Sequence, residues 1–112
     1  MPQHREKRGA LTATGIVAKR LRQARETSGL SQKELGIKAG MDPFVASPRI
    51  NQYERDKHIP NPTILAQLGL VLDVPLPYFY AVEDDLAAAI VAFHRSSMTR
   101  RKHALEVLEH HP

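Results

Sequence analysis

The chain has 112 residues, 42% of them hydrophobic, with three Phe, three Tyr, no Trp and no Cys. That supply fits one mainly aliphatic core with modest extensions, and the missing thiols exclude disulfides, thiolate zinc sites and cysteine nucleophiles. The net charge of +4 is uneven: residues 1–60 carry 12 Lys/Arg against 6 Asp/Glu, net +6, whereas residues 61–112 carry 4 against 6, net −2, so the first half suits a polyanionic partner.

Met1 to Ala13 has no periodicity and carries His4, Arg5, Lys7 and Arg8; residues 1–13 read as a flexible basic arm. Nowhere does the chain approach the roughly 18 apolar residues that a bilayer span needs, and no signal-type apolar stretch follows the start. A soluble, cytoplasmic protein without membrane contact is expected.

Val17, Leu21 and Ala24 recur at helical spacing, so a helix is predicted from about Gly15 to Thr27, capped by Thr14, with Lys19, Arg20 and Arg22 projecting away from the core. Gly29 supplies the stop. Ser31-Gln-Lys-Glu34 is a capping box, opening a short helix that ends at Ala39-Gly40 with Leu35 and Ala39 inward. Asp42-Pro43 reads as N-cap and first residue of a new helix. Ser47-Pro48 repeats that signal five residues later, and Pro48 would clash with the Phe44 carbonyl in a continuous helix. The spacing therefore predicts one turn over Pro43–Ala46 and then a helix from Pro48 to Arg55, with Ile50 and Tyr53 inward; one helix kinked at Pro48 is the alternative.

Asn61-Pro62 opens the next helix, with Ile64, Leu65, Leu68 and Leu72 as its buried stripe. Pro77 to Tyr80 reads as a short helix. Glu83 to Arg95 follows, with Leu86, Ile90 and Phe93 as its seam, and Thr99 caps a last helix to about Glu109. With no strand-like alternation the class is all-α. Three units are expected: the arm, a helical domain over 14–81 and a helical extension over 82–112.

Two short helices joined by a glycine turn make a helix-turn-helix, whose second helix fits a major groove about 12 Å wide. Val17 to Arg25, Gly29 to Gln32, Glu34-Leu35, Ala39-Gly40, Ile50 to Glu54, Lys57, Pro60 and Leu72 to Pro75 occur in an order that resembles the Xre family of regulators, the phage repressor and Cro type. The resemblance implies a lambda-repressor-like five-helix bundle with extra C-terminal helices. One departure stands out. Between the Gly40-Met41 turn and Ile50 this chain carries eight residues where the family typically has four, an insertion ahead of the reading end that makes Phe44 and Val45 candidates to plug the core.

By this resemblance the base-reading positions are Ser47, Arg49, Asn51 and Gln52. Arg suits guanine, and Asn or Gln suits adenine. Ser47 competes with a capping role for its hydroxyl. Phosphate contacts fall on Gln32, Arg55, Lys57 and His58, which position without reading sequence. Arg25 and Glu54 occupy the places of an ion pair between the first and the reading helix.

The expected function is that of a sequence-specific double-stranded-DNA-binding regulator, a repressor acting as a homodimer. The alternative is an antitoxin-type DNA-binding protein whose C-terminal helices hold a toxin. An enzyme is not expected: no phosphate loop, metalloprotease signature or nucleophile elbow occurs. No cofactor is implied. His103, Glu106 and His110 share one helix face, yet a single face does not complete a metal's coordination sphere. Ala104, Leu105, Val107 and Leu108 offer a packing or dimer seam instead.

Overall fold

The computed structural model describes residues 14–110, so the basic arm lies outside the described residues. Every regular element among them is helical: α1 (Ile16–Thr27), α2 (Gln32–Lys38), α3 (Pro43–Glu54), α4 (Pro62–Leu72), a 3-10 turn (Leu76–Tyr80), α5 (Asp84–His94) and α6 (Met98–Glu109). The class is all-α, a five-helix bundle from α1 to the 3-10 turn with two further helices. No helix of the described residues is long and apolar enough to cross a membrane.

Local chemistry starts most of these helices. Ser31 Oγ accepts from the Glu34 N–H at 3.0 Å, and the Glu34 carboxylate accepts from the Ser31 N–H at 2.9 Å, satisfying two donors that a helix start leaves unpaired. Asp42 and Asn61 cap α3 and α4, each followed by Pro at the first helical position. Two starts differ from expectation. Gly15, in a left-handed conformation and without a side-chain cap, holds the N-cap place assigned to Thr14. Ser97, not Thr99, caps α6, accepting from the Arg100 N–H at 3.2 Å.

The core is built from Leu21, Leu35, Ile50, Leu65, Leu68 and Phe79, all fully buried, with Leu72 and Tyr78 at its edge. The predicted break at Ser47-Pro48 is absent: α3 is one helix from Pro43 to Glu54 with Pro48 inside it. Pro48 cannot donate to the Phe44 carbonyl, at a cost of about 3 kcal/mol. The lost bond falls in the first turn of the helix, at a residue open to solvent. Ala46 and Ile50, both fully buried on one side of the helix, fasten the halves before and after Pro48 to the same core. Phe44 is 92% exposed and Val45 39%, so neither plugs the core. The four extra residues thus lengthen α3 by about one turn.

Arg20 corrects a second expectation. It does not project away but is fully buried. Its Nε donates to the Ala81 carbonyl at 2.8 Å, Nη2 to the Val82 carbonyl at 3.1 Å, and Nη1 to Gln23 and to Asp84 at 3.0 Å each. The Tyr78 hydroxyl lies 3.1 Å from the Arg20 carbonyl and 3.0 Å from Gln23 Oε1, and burial pushes its pKa up. One planar guanidinium therefore fastens the start of α5 to α1.

The seam of α5 is also different. Ala87 is its buried residue, with Ile90 and Val91 half-buried, while Leu86 is 48% and Phe93 36% exposed. The alanine side faces the bundle because it allows close approach. Arg101 of α6 reaches back to the Phe93 and His94 carbonyls at 2.9 and 2.7 Å and covers the Phe93 ring. No residue of α6 is buried.

Candidate nucleic-acid interface

The turn between α2 and α3 is made at Gly40, whose φ of +96° is strained for any residue with a side chain. The Met41 N–H returns to the Gly36 carbonyl at 2.9 Å. Gly36 is buried where α2 crosses α3, and a Cβ there would meet the backbone of Ala46. These two glycines fix how far apart and at what angle the two helices sit.

A polar network braces the crossing from behind. Arg25 of α1 grips Glu54 of α3 bidentately, Nε to Oε2 at 2.6 Å and Nη2 to Oε1 at 3.0 Å, and also donates to the Leu30 carbonyl at 2.9 Å. The pair is mostly buried, with side chains 14% and 4% exposed. The bond from Glu54 raises the Arg25 pKa further. Gln32 of α2 donates to Glu54 Oε1 at 3.1 Å and to Asn51 Oδ1 at 3.3 Å. Three helices thereby share one carboxylate.

The opposite side of α3 faces outward. Ala46, Ile50 and Tyr53 point in. Phe44, Pro48 and Gln52, spaced by four, form an exposed row, with Arg49 exposed on its flank. Ser47 and Asn51 are half-buried, Ser47 inside the helix rather than at a cap, and Asn51 tied to Gln32. Arg55, Lys57 and His58 are exposed beyond the helix end. The N–H groups of Lys57 and His58 both reach the Gln52 carbonyl, at 2.9 and 3.4 Å, which folds the loop back beside the exposed row. Arg49, Gln52 and His58 line one open groove with Asn61.

The structure thus brings Arg49, Gln52 and His58 to one groove, whereas Arg55 lines another with Gly15, Lys19 and Arg22, and Lys57 is exposed in the loop after α3. It puts Gln32 and Asn51 together in the brace, half-buried. Sequence reasoning missed Gly36 and Arg20. The signal for Gly36 was a helix-weakening residue between Leu35 and Ile37 in an otherwise regular helix. Arg20 gave no local signal. Among the described residues no group of His, Asp and Glu is arranged to hold a metal ion.

Comparison with known proteins agrees with this architecture. Residues 21–79 match the Helix-turn-helix family. A stretch of 60 residues is 43% identical to Multiprotein-bridging factor 1 of Candida albicans (strain SC5314 / ATCC MYA-2876); it covers 54% of this chain and 37% of that protein, so the match spans little more than a third of the curated relative. The crystal structure of transcriptional regulator BswR matches with a TM-score of 0.77 at 43% identity, over 82% of this chain and 91% of that one.

Proposed function

Because the chain belongs to the helix-turn-helix family, with the Xre type of α2-turn-α3 unit, we propose that it is a sequence-specific double-stranded-DNA-binding transcriptional regulator of the cytoplasm that represses as a homodimer. The observation that carries this reading is the outward row of α3, where Arg49 and Gln52 stand exposed on a helix held rigid by the Arg25–Glu54–Gln32 brace. A rigid helix with a bidentate cation and an amide at its surface suits guanine and adenine edges in a major groove. Ser47 and Asn51 are second in line, both half-buried, with Asn51 Oδ1 already accepting from Gln32. Arg55, Lys57 and His58 suit phosphates on either side, and Gln32 takes that role by family resemblance alone.

The dimer reading draws on α6. Met98, Leu105 and Leu108 are 78%, 45% and 74% exposed on a helix with nothing buried. Lys102 and Glu109 lie on the same side as Leu105, seven residues apart. In an antiparallel pairing of two copies, Lys102 of each meets Glu109 of the other; a parallel pairing sets like charges together. A toxin-type partner on the same face is the other occupant, and neither relative named above favours it. Leu105→Glu with Leu108→Glu should give a folded monomer by analytical ultracentrifugation.

The test of the function is titration of duplex DNA at rising salt. Contacts to six or more phosphates make affinity fall by about 10³ or more between 50 and 200 mM salt. Binding that ignores salt, or none at all, overturns the proposal.

A further inference from the structure

We propose that Phe44 is a base-reading residue: its ring packs on the C5-methyl of a thymine in the major groove, on the side of the Gln52 contact toward the start of α3. The inference rests on α3 being the helix that enters the groove.

Phe44 is the most exposed large apolar side chain among the described residues, at 92%. It begins the row that Pro48 and Gln52 continue, opposite Ala46, Ile50 and Tyr53. Phe44 lies eight residues or about 12 Å earlier along the axis and about 80° around it from Gln52, so a groove that wraps the outer half of α3 meets both. Reading helices present their first turns to the bases, and the four extra residues give this helix one more such turn.

The chemistry of that turn disfavours a phosphate. Pro43, Phe44, half-open Val45 and Pro48 carry no cation, and the Asp42 carboxylate is engaged by the Phe44 N–H at 2.8 Å. Among base edges in the major groove, the thymine methyl is the apolar feature that such a tip fits. A methyl lying against the ring also removes the ring from water, which the free protein does not achieve.

The experiment starts from a duplex selected for binding to the full chain. Each thymine is replaced in turn by deoxyuridine, which removes only the C5-methyl. For the wild-type protein, one position per half-site should cost about fourfold in Kd, the worth of one buried methyl-sized group. Phe44→Ala should bind the thymine duplex more weakly and be indifferent to that replacement, with an unchanged melting midpoint because Phe44 buries nothing. Phe44→Leu should keep part of the discrimination. A wild-type protein insensitive at every thymine, or a sensitivity that survives in Phe44→Ala, overturns this inference while leaving the regulator reading intact. Absence of any duplex binding overturns both.

Discussion

A Cβ added to Gly36 would lie 2.6 Å from the Cβ of Ala46 and 2.9 Å from its Cα. The α2 and α3 backbones pass so closely that only a hydrogen fits between them. This contact sets the depth at which α3 seats against α2, and so where its outer row stands.

Gly36→Ala should therefore destabilise the protein by about 1–3 kcal/mol through overpacking. Helix propensity alone predicts the reverse, a gain of about 1 kcal/mol. Urea unfolding separates the two: a raised midpoint contradicts the close crossing.

Removing one partner of the Arg25–Glu54 pair strands a charge among buried groups. Glu54→Ala should cost about 3–5 kcal/mol, since it also deprives Gln32 of an acceptor. Arg25→Leu with Glu54→Leu should recover much of that loss while weakening duplex binding, because the angle of α3 is no longer specified. Double-mutant unfolding curves measure the coupling.

Arg20→Ala should loosen the join between bundle and extension, at about 1–3 kcal/mol for leaving the buried Ala81 carbonyl without its donor, while the exposed Asp84 carboxylate stays hydrated. Arg20→Lys should rescue little, because one ammonium cannot reach Ala81, Val82, Gln23 and Asp84 together. Limited proteolysis should then cut between Ala81 and Asp84, a site resistant in the wild type.

Acid should weaken the caps. Hydrogen bonds from the Ser31 backbone and hydroxyl hold the Glu34 carboxyl below its ordinary 4.5. Bonds from Arg20 and Lys19 hold Asp84 below its ordinary 3.8. A depressed carboxyl contributes stability that is complete above its ordinary pKa and lost as pH falls through the native one. Glu34→Gln keeps a neutral cap, so its melting midpoint should decline less steeply on acidification than that of the wild type. Parallel melting series in acidic buffers compare the two.

The parts legible in the sequence are those decided within a few residues. The Ser31 box, the Asp42-Pro43 and Asn61-Pro62 starts and the Gly40 turn depend on neighbours alone, and the structure has all of them. Ser47-Pro48 carries an equally good local signal, yet burial of Ala46 and Ile50 overrides it. Arg20 looks like any surface arginine until residues about sixty positions later close over it. On α5, the pattern favoured large side chains, whereas packing chose Ala87 and left Leu86 and Phe93 outside. Arg49 and Gln52 were legible as outward residues through their spacing from Ile50 and Tyr53; the tie between Asn51 and Gln32 was not, because it crosses two helices.

The most direct measurement is selection of bound duplexes from a random pool, run with the wild type, Arg49→Ala and Gln52→Ala. The wild type should enrich an inverted repeat, with half-site centres about 34–36 Å apart or a multiple of that, and each variant should lose preference at one different position per half-site. Unenriched pools, or an identical motif from all three proteins, would contradict this reading of α3.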